Sequence, residues 1–333
     1  MKIQQLFLRN VRSIKSLDLD FRDPVTGKPM SRIVLAGANG GGKTTILECT
    51  FGMLSDAERD KHTLEDVPFV LAFDAQIQLL LEVGYPSTRP TMFSLSYRDP
   101  IVKETPVSEL RTFFKVLPAT IKGMRAQEEE VIGSVLYFPH NRYLPSFQQG
   151  ELGLEPKVYQ WAYRYQANDQ WKGSTESYLF SLNYLDLEDR DRKTPANRFG
   201  QTVEIVNSIL DGKRIDRVER GRVVIETTNG QTHGLDELSS GEKQIVLLLI
   251  EITRRIVPGS VILIDEPEVS LHPAWQRGLV AALDKIVEQY DAQVIMATHS
   301  LEIVKMMYPE EVFILTDRDL PMGEWKPEVE TLA

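Results

Sequence analysis

The stretch GANGGGKT, Gly37 to Thr44, constrains this chain more than any other. It carries the spacing G-x-x-x-x-G-K-[ST]. The apolar run RIVLAG precedes it, and KTTILECTFGML, which has helical character, follows. A glycine-rich turn between a strand and a helix can aim its N–H groups inward without Cβ clashes. The helix behind it adds free N–H groups and the positive end of its dipole. The result is a cradle for a phosphate chain, spanning Asn39, Gly40, Gly41, Gly42, Lys43, Thr44 and Thr45. Lys43 is placed to reach β- and γ-phosphates, and the Thr44 hydroxyl to ligate Mg²⁺.

A second feature then acquires meaning. VILIDEPEVSLHP, residues 261 to 273, begins as a buried strand and turns into a charged loop at Asp265 and Glu266. Alone, that acid pair is the start of a solvated loop. Beside a phosphate cradle, Asp265 is the expected holder of Mg²⁺ through its water shell. Glu266 is then the group that polarises water for in-line attack on a γ-phosphate.

Composition narrows the class. The chain has 333 residues, 42% apolar and 26% charged, as an ordinary globular protein does. No apolar run reaches the ~20 residues that span a bilayer. The N-terminus MKIQQLFLRN lacks a signal-peptide layout, so a cytoplasmic location without membrane association is expected. Cys49 is the sole cysteine, which rules out an internal disulfide and a cysteine-based metal site. A net charge of −10 argues against a broadly basic surface for nucleic acid, although it leaves room for a local stripe.

Strand-like runs come early: KIQQLFL, SLDLDF, RIVLAG, AQIQLLLEV, TMFSLSY and GSVLYFP. Val158, Trp161, Ala162 and Tyr165 fall at i, i+3, i+4, i+7, which predicts a helix there, and Phe199, Val203, Val206 and Leu210 predict another. RVVIETTNGQTHGL reads as strand, Asn-Gly turn, strand. From residue 241 helices and apolar strands alternate, which implies a mainly parallel sheet flanked by helices.

LSSGEKQ, Leu238 to Gln244, precedes a long helix. Ser239 and Ser240 suit an N-cap and Gly241 a tight entry. Standing before VILIDEPE, LSSGEKQ also resembles the signature motif of ABC-type ATPases. EVSLHP resembles their D-loop, and ATHS, with His299, their switch histidine. The opening LRNVRSIKSLDLDF and SLHP are similar to the RecF/SMC-like branch, especially the OLD-like and PtuA-like ATPases of prokaryotic defence systems. The resemblance covers residues ~2 to 84 and ~200 to 317.

This resemblance implies an α/β fold of the ABC/SMC-head type, with a mainly parallel sheet, an antiparallel β subdomain and a mostly helical insertion. Residues 1–84 and 200–333 would be the two lobes of the head, and 85–199 a lid or arm. It implies an enzyme that binds and hydrolyses ATP with Mg²⁺. Two copies, or an assembly of such dimers, would close around the nucleotide. Ser239 and Gly241 would reach the γ-phosphate across the dimer, and His299 would bond the same phosphate in cis. Ser270 would line the seam, and Arg12 would approach the nucleotide, a surface arginine being the plain alternative. Lys43, Glu266 and His299 would be the catalytic group.

Departures from the pattern are expected to matter. Glu242 stands where transporters carry Gln. His140, Asn141 and Arg142 stand where related heads carry the Q-loop glutamine. Gln148, Gln149, Gln76 and Gln78 are alternatives, the last two reading better as strand residues.

Between the cradle and the signature lie several prolines and no sustained heptads, so a compact helical insertion is expected rather than a long coiled coil. Its aromatics, Trp161, Tyr163, Tyr165, Trp171, Tyr178 and Tyr184, serve either as a partner surface or as the insertion's own small core. The basic runs at 190–198 and 213–222 are interleaved with acids and read as solvated faces. Relatives often carry a C-terminal Toprim nuclease, for which VFILTDRDL leaves no room; Asp317 and Asp319 read as a turn. A switch controlling a separate effector, such as a nuclease, is therefore the leading expectation. Alternatives are a DNA-repair clamp that binds nucleic acid, a transporter's nucleotide subunit, or a scaffold that binds ATP without turnover.

Overall fold

The computed structural model describes residues 1–57, 64, 66–83, 91–98, 133–142, 160–166, 175–191 and 195–315. Strands β1 (Lys2–Val11) and β2 (Ile14–Asp20) form an antiparallel pair. On the far side of β1 lies β4 (Gln76–Val83), followed by the edge strand β5 (Thr91–Tyr97), giving the order β2-β1-β4-β5. Ile3, Leu6, Leu8 and Val11 of β1 are buried, while Gln5 and Arg9 are only half-buried and stand in register with Asp20 and Ser16 of β2. This is the expected pattern for a sheet with one wet face.

The central sheet contains β3 (Arg32–Ala36), β6 (Val135–Phe138), β7 (Ala162–Arg164), β11 (Val261–Asp265), β12 (Gln293–Thr298) and β13 (Val312–Ile314). Their order is β13-β3-β12-β11-β6-β7, and every pair is parallel. These strands are apolar at consecutive positions because both faces are covered. Ile33, Leu35, Val261, Leu263, Ile295 and Tyr137 pack into one core with α1 (Lys43–Asp56) and the antiparallel sheet. Val34, Ala36, Ile262, Ile264, Val294 and Phe138 pack into a second core on the opposite face.

That second core is closed by α2 (Thr175–Glu188), α3 (Arg198–Asn207), α4 (Ser240–Arg255) and α5 (Pro273–Tyr290). Helix α4 starts with a reciprocal cap. The Ser239 hydroxyl accepts from the N–H of Glu242, and the Glu242 carboxylate accepts from the N–H of Ser239. Arg254 and Arg255 sit in its last turn, where cations suit the dipole. Helix α5 begins with Pro273 in its first turn and ends at Asp291, which adopts the left-handed conformation. A small antiparallel sheet, β8 (Lys213–Glu219), β9 (Arg222–Thr227) and β10 (Thr232–His233), packs Ile215, Val223 and Ile225 on the same core. A short helix, α6 (Leu301–Val304), follows β12.

Two expectations change. No helix forms at 161–165. Trp161, Tyr163 and Tyr165 also satisfy a period of two, and β7 takes that reading by pairing with the free edge of β6. Val158 lies outside the described residues. The aromatics of the supposed insertion do not make a core of their own. Trp161 joins the first core, and Tyr165 and Tyr178 the second, while Tyr184 is exposed; Trp171 lies outside the described residues. The stretch 85–199 therefore supplies β5, β6 and β7 to the two sheets of the head and α2 to the layer over the second core.

The basic runs are solvated faces. Arg214 pairs with Asp216 and Glu226, and Arg217 with Asp216 and Glu219. Arg198 pairs with Asp186 and Asp189. Arg192 and Lys193 lie outside the described residues.

One carboxylate in this layer makes stability depend on pH. Glu176, in the first turn of α2, accepts from the N–H of Val223 at 3.1 Å. Burial pushes its carboxyl up to about 7, and Asp236 adds to the rise, against Arg222. Below the unfolded value both states hold the proton. Between about 4.5 and 7 the unfolded chain releases it first, so stability falls across that window and stays lower above it. Glu176→Gln keeps the acceptor and removes the charge. It is expected to be more stable than the wild type at pH 8, on the order of 2 kcal/mol. The difference should vanish near pH 4.5, as read by urea melts at both pH values.

Candidate nucleotide-binding and hydrolysis site

Four neighbouring parallel strands, β3, β12, β11 and β6, end on the same side of the central sheet. In such sheets ligands bind in the crevice beyond the strands' carboxyl ends. Several residues picked out from the sequence lie at these strand ends: Gly37 to Lys43 after β3, His299 after β12, Asp265 and Glu266 at β11, and His140 after β6.

The loop after β3 needs its glycines. Gly37, Gly40 and Gly42 have φ of 145°, 86° and 89°, a region that side chains resist. A Cβ on Gly37 would also stand 2.3 Å from the Leu315 carbonyl oxygen. Asn39 and Gly40 are exposed at the rim, Gly41 is half-buried, and Thr45 is buried one turn into α1. Buried Lys43 donates from Nζ to the carbonyls of Gly37 (2.9 Å) and Ala38 (3.0 Å), and its ammonium lies 4.0 Å from Glu266 Oε1. Exposed Arg12 adopts φ 52°, lies 3.4 Å from the Thr45 hydroxyl and stacks over Phe69.

Asp265 is fully buried. Its oxygens accept from the Thr44 hydroxyl at 3.0 and 3.1 Å and lie 3.1 Å from His140 Nδ1. A buried carboxylate beside a hydroxyl, with no Lys or Arg side chain bonded to it among the described residues, is short of positive charge. Oxygen donors of this type suit Mg²⁺. Thr44 and Asp265 therefore fit a divalent cation.

Glu266 follows in the left-handed conformation, φ 49°, with its N–H bonded to the Ala297 carbonyl at 2.8 Å. Its carboxylate touches His299 Nδ1. Burial, and then the neighbouring Glu268, push its carboxyl up to about 6, against the pull of His299. Glu268 is buried and organises the loop that bears His299. Its Oε1 accepts from the Thr298 hydroxyl (2.6 Å) and from the N–H groups of His299 (2.9 Å) and Ser300 (3.1 Å).

The signature turn is built separately. Among the described residues the Ser239 side chain hydrogen-bonds only Glu242, which also pairs with Lys213 at 2.8 Å. The helix cap and this ion pair explain the carboxylate at position 242. Gly241 is wedged against the turn that resembles a D-loop. A Cβ there would meet the Ser270 carbonyl at 2.6 Å and the Trp275 ring at 2.9 Å. Ser270 itself has φ 63°. The signature turn is thus packed on the turn that holds Ser270 through Gly241.

A family model described as "AAA domain, putative AbiEii toxin, Type IV TA system" matches residues 161–305. "Retron Vc95 probable ATPase" of Vibrio cholerae serotype O1 biovar El Tor is 28% identical over 166 residues, 46% of this chain and 32% of that protein. The chain thus spans about a third of the length of this relative. "Septu protein PtuA" of Bacillus thuringiensis is 22% identical over 330 residues, 94% of this chain and 75% of that protein. The SMC head domain from Thermotoga maritima aligns over 92% of each chain at 14% identity and a TM-score of 0.43. These similarities support an ABC-type P-loop ATPase head of the RecF/SMC-like branch.

The head brings Lys43, Thr44, Asp265, Glu266 and His299 into one crevice and holds Arg12 at its rim beside Thr45. Three further residues join them. His140 stands at the strand end where a Q-loop glutamine was sought. Gln78 is excluded from that role, being buried and bonded to Ser94, and Gln76 is a residue of β4 in register with Arg9 of β1; Gln148 and Gln149 lie outside the described residues. Glu268 and Arg142 were not assigned from sequence. The acid next to the DEP triplet was a readable signal for Glu268. Arg142 is marked in the sequence only as one of three residues standing in place of the Q-loop glutamine, with nothing to indicate its contacts. Asp317 and Asp319 lie outside the described residues.

Proposed function

We propose that the head binds ATP in the P-loop cradle, hydrolyses it, and uses the cycle to switch a separate effector protein. The observation that carries this reading is the placing of Glu266 at the mouth of the crevice, 4.0 Å from Lys43 and in contact with His299. In the reaction, water attacks the γ-phosphorus in line with the leaving β-phosphate oxygen. Glu266 accepts the proton from water, the bond between phosphorus and the bridging oxygen breaks, and ADP and phosphate are released. Bound Mg²⁺, held by Thr44 and Asp265, would neutralise charge on the phosphate oxygens. Lys43 faces the same negative charge, its ammonium held by the carbonyls of Gly37 and Ala38. Glu268 orients His299 toward Glu266.

The exposed Ser239 turn is a surface for the nucleotide of a second copy, backed by Gly241 on Ser270. Two copies would thus sandwich two ATP molecules. Similarity to a retron ATPase and to PtuA supports a role in prokaryotic defence; the effector proposed is a nuclease. The test is phosphate release and solution mass on one sample. Mg²⁺-dependent ATP turnover, with a rise from monomer to dimer mass in ATP, is expected. A protein that neither hydrolyses ATP nor changes mass would reject the reading.

A further inference from the structure

Glu266 has a backbone problem that its side chain does not explain. Consecutive carbonyls along a strand point to opposite sides. At the end of β11 the carbonyls of Asp265 and Glu266 both turn to one guanidinium. Arg142 NH1 donates to the Asp265 carbonyl at 2.7 Å and NH2 to the Glu266 carbonyl at 2.9 Å. NH1 also donates to the Pro139 carbonyl at 3.0 Å. This convergence places Glu266 at φ 49°, a conformation that a non-glycine residue resists. Such strain persists only where neighbours enforce it.

Arg142 is 4% exposed, and among the described residues it has no carboxylate within ion-pair distance. Burial holds its guanidinium down at about 10, so it remains a cation at neutral pH. Among the described residues the guanidinium donates only to backbone carbonyls, an uncommon use of a buried cation given the cost of desolvating it. It makes sense if those carbonyls must be held. The planar fork can take two adjacent acceptors at once, whereas an ammonium is a single point charge. The Arg142 carbonyl in turn accepts from Gln244 Nε2 at 2.8 Å. Gln244 lies in the second turn of α4, the helix that Ser239 caps.

We infer that Arg142 is a positioning residue that holds the catalytic turn in its left-handed form and, through Gln244, ties that turn to the signature helix of the same subunit. The inference rests on the hydrolytic reading above. It adds a route between the two faces of one head. Contact of Ser239 with a partner's nucleotide bears on α4, and α4 bears through Gln244 and Arg142 on the subunit's own Glu266.

The test compares Arg142→Ala, Arg142→Lys and Gln244→Leu with the wild type, measuring kcat, ATP affinity by a fluorescent ATP analogue, and thermal midpoint. Arg142→Ala is expected to lose about a hundredfold in kcat with ATP affinity changed less than threefold, since the P-loop is untouched. Guanidinium at 20 mM should restore at least tenfold of that loss by refilling the fork. Arg142→Lys should remain at least tenfold slow. Gln244→Leu keeps the arginine and should cost about fivefold in kcat without loss of affinity.

If Arg142→Ala is too unstable to assay, the lysine and Gln244 variants decide. Wild-type kcat in both would overturn the inference, as would a parallel fall in kcat and ATP affinity with no guanidinium rescue. Failure of the underlying reading looks different: the wild type itself would show no ATP turnover.

Discussion

Replacing Glu266 by glutamine is expected to slow ATP turnover by about a hundred- to ten-thousandfold, the usual worth of a general base. Glutamine preserves the size of the side chain, keeps an oxygen and an N–H within reach of His299, and leaves the Arg142 bonds to the main chain intact. It cannot take up a proton. It also removes the repulsion between Glu266 and buried Glu268, so the thermal midpoint should not fall. With binding preserved and turnover blocked, ATP accumulates on the protein. In ATP and Mg²⁺ the variant should have twice its ATP-free mass by light scattering. An unchanged rate of phosphate release would remove Glu266 from the chemistry and leave only a nucleotide-binding scaffold.

The second large effect is expected at Gly241. Gly241→Asp places a Cβ 2.6 Å from the backbone oxygen of Ser270, an atom that cannot rotate away, and its carboxylate faces the place proposed for a phosphate. Overpacking of this kind costs about 1–3 kcal/mol. The helix itself should survive, because an acid in the first turn of α4 suits the dipole. The damage is then local to the contact between the signature turn and Ser270. ATP affinity of the isolated head should stay within a few-fold of the wild type, turnover should fall at least a hundredfold, and no dimer should form in ATP. Turnover by a Gly241→Asp monomer at the wild-type rate would show that one head hydrolyses ATP alone.

Much of the architecture could be read from the letters because the central strands are apolar on both faces. RIVLA, VILID and QVIMAT admit few other interpretations, and all three form strands of the parallel sheet. The residues of the crevice were found where a motif ties a residue type to a spacing: Lys43, Thr44, Asp265, Glu266 and His299. What escaped depends on contacts far apart in sequence. β7 was misread as helix because three aromatics fit both periods, and only the open edge of β6 decides between them. Arg142 gains its meaning from carbonyls more than a hundred residues away. Glu242 looked like a departure from a family pattern until Lys213 and the cap of α4 gave it a local reason.

Order along the chain has a consequence for biogenesis. The strand that carries the phosphate loop, β3, has only β12 and β13 as neighbours, and both lie beyond residue 290. During synthesis β1 and β2 can pair early, but β3 must wait with both edges bare until strands more than 250 residues further along have left the ribosome. Nucleotide cannot be captured by an unfinished chain. A nascent copy is silent until β12 and β13 have joined β3, and an exposed apolar strand makes that interval the one in which a chaperone matters most.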